Sequence, residues 1–311
     1  MISSKSPLVL GSGTDYSAEQ MRPFVSTLRE TGFSGKVAIV VYDDQCVALR
    51  DLVKKFSLSL IPVSRTPKWL PRSIGRRIQN RNRMRYVHHM LAKALPCFCW
   101  QRSLLELFSK ALHHFYHISS GRYFLYFRYL NRQKEKFTYI LLSDVRDVIF
   151  QSDPFRYTRY AKSPGIYCFL DPTVRLGDEP LNTRWTRNLF GDAYYQTRKG
   201  SRIFCSGTII GDYDSMIDLL HLMCAVLIKA LPRAVGQIGD DQAAYNHLIW
   251  ENRLANAIYC ENSENAVMTL KNALTESLVF DCNGAVLNQD GSPAPVLHQY
   301  DFHSTLKRKV R

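Results

Sequence analysis

Two aspartates follow directly on a run of apolar residues in the middle of the chain. Residues 138–142 form a strand-like, largely apolar stretch, Asp144 and Asp147 come next, and the apolar pattern then resumes. An unpaired carboxylate is costly inside a protein, and ligands bind at the carboxyl ends of central strands in α/β sheets. The pattern therefore predicts that a metal, a cation or solvent holds these acids. The alternative is an aspartate that caps the next turn, with Arg146 neutralising it.

The elements that must position these acids begin with an alternation of strand and helix. Ser17 with Gln20 has the form of a capping box and predicts a helix. That helix runs to about Thr31, where Gly32 suits its C-terminal cap. Strand-like runs occupy residues 7–10, 36–42 and 58–63. We expect an α/β fold with a mixed, mostly parallel sheet and helices on both faces. The first strand is not followed by Gly-x-Gly-x-x-Gly, which disfavours a dinucleotide site.

Composition restricts the class of partner. The 311 residues carry a formal net charge of +14, which predicts nucleic acid, an acidic membrane surface or phosphorylated small molecules as partner. The eight cysteines are scattered, several of them in apolar runs, as expected of reduced thiols in a cytoplasmic protein. The first residues lack the apolar stretch of a signal peptide. No run approaches the roughly 18 to 20 apolar residues that span a bilayer.

Residues 65–118 form a basic and aromatic helical insertion. No acidic residue occurs from Arg65 to Leu105, and tryptophan, tyrosine and isoleucine lie among the arginines and lysines. This composition is typical of a segment at a membrane interface, which would place the protein peripherally on the inner face of an anionic membrane. A solvated insertion that packs its apolar side on the core is an equal alternative. Nucleic-acid binding is not expected because the segment lacks a recognised motif.

Four further features come in a fixed order and end with a late histidine. They are a helix near residue 121 that carries Arg122, the strand before Asp144, a strand with Cys205-Ser206-Gly207, and a helix that begins at Asp240-Asp241-Gln242. His298 and a basic tail complete the order. This order resembles the GT-A glycosyltransferases, the nucleotide-diphosphosugar transferases related to glycogenin and bacterial galactosyltransferases. The most specific part of the resemblance is Asp-Val-Arg-Asp-Val-Ile-Phe-Gln-Ser-Asp-Pro-Phe at residues 144–155.

The resemblance implies one GT-A (Rossmann-like) domain over residues 1–311, with 65–118 as an insertion and 296–311 as a tail that binds metal and phosphate. It also implies a divalent metal that bridges the diphosphate of a sugar nucleotide. Mn²⁺ and Mg²⁺ prefer oxygen ligands, which Asp144 and Asp147 supply, and histidine is acceptable to Mn²⁺. His298 would be the third protein ligand, with His303 as its substitute.

One departure from the family concerns the spacing of the acids. The family motif is usually Asp-x-Asp, in which alternate residues of an extended chain share a face. Here Asp144 and Asp147 are three positions apart, so a straight strand would point them in opposite directions. A turn at Val145 and Arg146 would bring them together. Otherwise one acid binds the metal and the other holds the ribose or Arg146. We expect both aspartates to line the site.

Other site residues carry over more loosely from the resemblance. Arg122 stands where the family keeps an arginine that contacts donor sugar or phosphate, and the alternative is a surface residue. Gly207 would allow close approach of the backbone, although Cys205 replaces the family's asparagine and removes that contact.

The resemblance also implies residues that would contact the donor sugar and the nucleotide. Asp241 and Gln242 resemble an Asp-Gln pair that binds sugar hydroxyls. Asp241 is the first choice for a catalytic carboxylate, and Asp240 is either a second one or the helix N-cap. The remaining residues assigned to the donor are Thr14, Asp15, Tyr16, Arg146, Ser206, Lys307 and Arg308.

The sequence thus predicts a metal-dependent glycosyltransferase of the hexosyltransferase type. It would move a sugar from a UDP-linked donor to a hydroxyl of a glycan or lipid-linked glycan. Two other classes stay open, because fold resemblance alone does not decide function. A metal-dependent nuclease or phosphohydrolase would use Asp144, Asp147 and Asp241 as a carboxylate cluster. A nucleotide-binding protein without catalysis would account for the unusual acid spacing and the missing asparagine.

Overall fold

A computed structural model describes residues 6–67, 89–94, 101–133, 137–155, 163–234, 237–264, 266–273 and 275–309. Residues 68–88 and 95–100, which hold most of the basic part of the predicted insertion, lie outside these ranges, so the insertion is described only in part. Among the described residues, no helix has both the length and the apolar character needed to cross a membrane.

The strands are, in chain order, β1 (Leu8–Ser12), β2 (Lys36–Tyr42), β3 (Ser59–Val63), β4 (Tyr139–Asp144), β5 (Val148–Phe150), β6 (Ile166–Arg175), β7 (Arg202–Asp212), β8 (Ala257–Cys260), β9 (Val267–Thr269) and β10 (Val296–His298). Seven of them form the central sheet in the order β3-β2-β1-β4-β7-β6-β8. Strands β1 to β4 are parallel, β7 is antiparallel to β4 and β6, and β8 is parallel to β6. The predicted mixed, mostly parallel sheet is confirmed.

The helices whose bounds lie within the described residues are α1 (Ala18–Glu30), α2 (Arg50–Phe56), α3 (Arg102–Leu112), α4 (Ile118–Asn131), α5 (Pro180–Phe190), α6 (Asp192–Arg198), α7 (Tyr213–Lys229), α8 (Leu231–Ala234), α9 (Asp240–Trp250) and α10 (Ser304–Lys309). Successive residues of β1 pack against the helices on opposite faces of the sheet. Leu8 and Leu10 pack in the core with α4 and α7, whereas Val9 packs in the core with α1. Helices therefore cover both faces, as predicted, and this explains why β2 is an unbroken apolar run.

The strand register sets the residues at the carboxyl edge of the sheet. Asp144, the last residue of β4, lies opposite Ser12, the last residue of β1. On the other side of β4, Ser143 lies opposite Thr208 of β7. The neighbouring Gly207 therefore lies beside Asp144. A second, three-stranded sheet in the order β5-β10-β9 adjoins this edge through the bend between β4 and β5.

The predicted capping box of α1 is present. The Gln20 N–H donates to Ser17 Oγ at 3.2 Å, and the Ser17 N–H donates to Gln20 Oε1 at 2.9 Å. The helix ends at the C-cap Thr31, and Gly32 follows with a φ of +80°, a conformation that favours glycine. A side-chain cap at the first turn and the backbone conformation of Gly32 thus define the two ends of this helix.

Replacing Ser17 with alanine is expected to lower the free energy of unfolding by about 1 kcal/mol, because the first turn of α1 loses its side-chain acceptor. Urea denaturation measures the change. Ser26→Ala, inside the same helix, is the control and should cost nothing, since alanine is the better helix former. Equal losses in the two variants would contradict the capping role.

Candidate metal and ligand site

A cavity of about 310 Å³ opens at the carboxyl edge of β1 and β4. It lies where the parallel half of the sheet meets the antiparallel strand β7. Most of the residues predicted to form a site line this cavity: Thr14, Tyr16, Arg122, Asp144, Arg146, Asp147, Ser206, Gly207, Asp241, Gln242 and His298. The fold thus brings together residues that are far apart in the chain.

The chain turns between the two aspartates, as their three-residue spacing requires. Residues 145–147 form a bend between β4 and β5. His298 ends β10, and the antiparallel β5–β10 pairing sets it opposite Val148. The Gln299 N–H also donates to the carbonyl oxygen of Asp147 at 2.6 Å. The small sheet therefore holds the histidine next to the second aspartate.

Asp144, Asp147 and His298 form a group that could hold a metal ion. One ligand atom from each residue lies within 4.8 Å of the others. Ligands at about 2.0 to 2.6 Å from one cation are separated by about 4 to 5 Å at most, so the spacing fits. His298 Nε2 is buried without a hydrogen bond among the described residues, and Asp144 Oδ2 lies 3.6 Å from it. Carboxylate oxygens and an imidazole suit Mn²⁺, and the carboxylates also suit Mg²⁺.

Gly207 keeps the space between two of these ligands open. A Cβ atom at this position would lie 2.6 Å from Asp144 Oδ2 and 2.6 Å from His298 Cε1. Both distances are far below normal contact, so any side chain would displace one of the two ligands or fill the space between them. The glycine is therefore required by close approach to the ligand group.

Arg122 is the cation shared by two carboxylates of the site. Helix α4 places it in the interior, where it is 8% exposed. Its guanidinium pairs with Asp144 through Nη1 and with Asp241 Oδ2 through Nη2, the latter at 3.2 Å. Burial alone would raise the pKa of Asp144, but Arg122 and His298 hold it below its usual value. Asp144 is therefore ionised and available to bind a cation.

The other charges leave the site with surplus negative charge. Burial raises the pKa of Asp147, and the half-exposed Arg146 is 4.0 Å from this carboxylate. Burial would lower the pKa of His298, but Cys205 and the two aspartates raise it well above its usual value. Without a metal, a proton on His298 balances the acids. A metal would displace that proton, because a histidine ligand must be neutral.

Gln242 joins helix α9 to strand β7. Its Oε1 accepts a hydrogen bond from the Ser206 N–H at 2.8 Å, and its Nε2 donates to the Phe204 carbonyl at 2.8 Å. Tyr123 OH donates to the Ser206 carbonyl at 3.2 Å. The backbone beside Gly207 is thus fixed from two helices, and the Gln242 amide serves first to position the strand.

Asp15 and Asp240, two of the residues predicted to form the site, are not among the described residues that line the cavity. Asp15 forms an ion pair with Arg65 at 2.5 Å on the surface next to the cavity. Asp240 is 1% exposed in the first turn of α9. Asp241, its neighbour, is the carboxylate that faces the cavity.

The basic tail is likewise separate from the lining of the cavity among the described residues. Lys307 is exposed on α10, and the side chain of Arg308 lies outside the described part of the chain. His303, the substitute ligand, is buried and its Nε2 bonds to the Leu270 carbonyl at 2.8 Å. Of the two late histidines, His298 is the one that joins the aspartates.

Asp171 and Lys271, two charged residues for which the sequence predicted no role, line the same cavity. Asp171 follows an apolar run, residues 166–170, just as Asp144 follows its own, and this repeated pattern could have identified it. Its Oδ1 accepts a hydrogen bond from Asn272 Nδ2 at 2.9 Å, and burial raises its pKa. No sequence pattern marks Lys271, which reaches the cavity only through the fold.

Neither a family model nor a curated protein matches the chain. Fold and site together define an α/β protein whose mostly parallel sheet is compatible with a Rossmann-like fold. At the carboxyl edge of that sheet lies a buried Asp-Asp-His group that could hold a metal ion.

Replacing Gly207 with alanine is expected to weaken metal binding by about 10- to 100-fold, the range seen when the surroundings of metal ligands are disturbed. The added Cβ would enter the space between Asp144 and His298. Isothermal titration with Mn²⁺ measures the dissociation constant.

The matched control for this variant is Gly211→Ala on the same strand. Its added Cβ would lie 2.6 Å from Ile166 Cδ1, away from the metal group. This control should lower stability and leave the Mn²⁺ dissociation constant unchanged. Equal weakening in both variants, or none in Gly207→Ala, would contradict the proposed geometry.

Replacing Arg122 with alanine should lower the free energy of unfolding by about 3–5 kcal/mol, because the buried Asp241 and the partly buried Asp144 lose their partner. Urea denaturation at pH 7 measures the loss, and adding Asp241→Asn should recover part of it. Arg102→Ala removes an exposed pair with Asp218 and serves as control. That pair should contribute about 1 kcal/mol or less. A similar small loss for both arginines would disprove the central role of Arg122.

Proposed function

We propose that the protein is a metal-dependent glycosyltransferase that moves a sugar from a UDP-linked donor to a hydroxyl acceptor. The observation that carries this proposal is the group of Asp144, Asp147 and His298 around the open space beside Gly207. These are the residues that the resemblance to GT-A glycosyltransferases assigns to the metal. Their chemistry fits Mn²⁺ or Mg²⁺.

Charge stabilisation at the leaving group is the main demand of such a reaction. A cation held by Asp144, Asp147 and His298 would stabilise the negative charge that grows on the departing diphosphate. Arg122 supports this by keeping Asp144 ionised. The half-exposed Arg146, which also lines the cavity, adds positive charge on the side where the phosphates would lie.

The nucleoside would bind after the end of β1. Ser12 lies opposite Asp144 in the β1–β4 ladder, so the residues that follow β1 start next to the metal group. Thr14 and Tyr16 both line the cavity. Burial raises the pKa of Tyr16, which stays a neutral phenol able to stack on a base and donate a hydrogen bond.

Two carboxylates line the cavity outside the metal group, and they suit different tasks. Asp241 is held by Arg122 at 3.2 Å, which fixes its orientation for binding sugar hydroxyls. Asp171 accepts a hydrogen bond from Asn272, and burial raises its pKa, the direction that favours uptake of a proton. We propose that Asp171 accepts the proton of the acceptor hydroxyl. That proton moves to Asp171 as the acceptor oxygen bonds to the sugar carbon and the electron pair of the broken bond leaves with the diphosphate.

The donor is tested by thermal unfolding with nucleotides and UDP-sugars, in Mn²⁺ and then in EDTA, since a ligand that binds the native state raises the melting temperature. We expect a metal-dependent rise with UDP or one UDP-sugar that is lost in Asp144→Asn. Asp153→Asn is the control in the same segment, because Asp153 does not line the cavity, and it should keep the response.

Three other results would overturn the assignment. A shift with DNA or RNA and none with nucleotides would favour the nuclease. A nucleotide shift without release of UDP from any UDP-sugar in Mn²⁺ would favour a binding protein. A nucleotide shift that survives both EDTA and Asp144→Asn would remove the metal from the proposal.

A further inference from the structure

A second cavity, of about 790 Å³, lies at the β3 edge of the sheet. It is more than twice the size of the cavity at the metal group, about 310 Å³. Strand β3, helices α3 and α4, and the 3₁₀ turn His113–Phe115 supply its walls. The two cavities have no described lining residue in common. The second cavity is therefore a separate site.

Most of this wall is apolar. The apolar lining residues are Ile61, Pro62, Val63, Leu107, Ala111 and Leu125. Leu107 remains 64% exposed on α3 although it is a large apolar side chain. A hydrocarbon chain in the cavity would remove such surface from water, which is favourable in proportion to the area covered.

The charged groups of the cavity are mainly positive. Lys110, Arg128 and Arg132 line it, and Asp43 is the only acid among the described lining residues. Arg132 pairs with Glu106. Lys110 and Arg128 have no ion pair within the described part of the chain. The cavity therefore presents surplus positive charge, which an anion would neutralise.

Two buried polar atoms beside the cavity have no hydrogen-bond partner among the described residues. They are Arg128 Nε and Tyr129 OH. His113 is 4% exposed, burial lowers its pKa to about 3, and backbone groups of Ser109, Lys110 and Ser64 already interact with its ring. Buried polar groups are nearly always paired, and a cluster of exceptions points to a missing partner.

We propose that this cavity binds an amphiphilic anion, a phosphate ester of an apolar chain such as a lipid phosphate. The phosphate would accept hydrogen bonds from Lys110 and Arg128, and the chain would lie along the apolar wall. A free phosphate would leave that wall exposed to water, and a neutral lipid would leave the cations and the unpaired donors without a partner. The amphiphile is the ligand that satisfies both observations.

Helix α4 connects this cavity with the metal group. Arg122 lies in the first cavity, and Arg128 lies in the second. Six residues at a rise of 1.5 Å place them about 9 Å apart along the helix axis. The binding proposal rests on the second cavity alone and does not require the proposed sugar transfer.

Isothermal titration compares decyl phosphate, below its critical micelle concentration, with inorganic phosphate and the neutral decyl maltoside. We expect saturable one-to-one binding of decyl phosphate and much weaker binding of the other two probes. Equal affinity for decyl maltoside would show a purely apolar groove. Equal affinity for inorganic phosphate would show a simple anion site. Either result would overturn the proposal.

Arg128→Gln should weaken decyl phosphate binding about tenfold or more, as expected for one lost charge-assisted hydrogen bond. Arg128→Lys should restore part of the affinity, because it restores the charge. The matched control is Arg187→Gln, which removes an exposed pair with Asp192 elsewhere and should change nothing. Mn²⁺ binding by the Arg128 variants verifies that they are folded. Undiminished binding in folded Arg128→Gln would refute the site.

Asp144→Asn separates this proposal from the proposed function. The variant should lose the metal-dependent nucleotide response and still bind decyl phosphate with unchanged affinity. If decyl phosphate binding fell together with the nucleotide response, the amphiphile would be binding at the metal group, and the second cavity would not be its site.

Discussion

A buried guanidinium that faces two carboxylates is the interaction on which the candidate site depends. Helix α4 is buried on nearly all sides, and an unpaired arginine there would be strongly destabilising. Asp144 comes from the end of β4, and Asp241 comes from the first turn of α9. Their pairing with Arg122 therefore sets two elements, distant in the chain, against one helix. It also keeps Asp144 ionised in a largely buried position.

The cavity at this edge of the sheet is rich in acidic residues, although the protein as a whole is positively charged. The chain has a net charge of +14, yet Asp144, Asp147, Asp171 and Asp241 all line the main cavity. Arg122, Arg146 and Lys271, which line the same cavity, leave one of the four negative charges unbalanced when His298 is neutral. A divalent cation would reverse the local charge and make the cavity attractive to a diphosphate, because a bound cation is the largest charge in such a site. The basic surface would then increase the local concentration of an anionic substrate.

Strand register connects the remaining parts of the site. The β4–β7 pairing sets Gly207 beside Asp144, and the β5–β10 pairing sets His298 beside Asp147. The side chain of Gln242 forms hydrogen bonds with the backbone of β7 on both sides of Cys205, which keeps Gly207 next to the ligand group. Two strand pairings and the hydrogen bonds of one side chain thus enclose the space between the ligand atoms. Small changes in any of them would alter the distances between the ligand atoms.

Features that depend on neighbouring residues could be predicted from the amino-acid sequence. The capping box of α1, the apolar runs of β1 and β2, and the turn needed between Asp144 and Asp147 follow from local periodicity and spacing. For that reason the α/β class and the two aspartates could be predicted. Which late histidine joins them depends on strand pairing, because the β5–β10 register places His298 there and leaves His303 on the Leu270 carbonyl.

Long-range packing also decided what local patterns could not show. The double pairing of Arg122, the space that Gly207 keeps open and the arrival of Lys271 in the cavity all join residues far apart in the chain. The partner of a charged residue depends on which strands and helices pack together. The repeats of two residues in a strand and 3.6 in a helix show which face of an element is apolar, and they do not show which element packs against it. Local spacing therefore determined the elements and the candidate ligands, and the packing of those elements decided which candidates share a site.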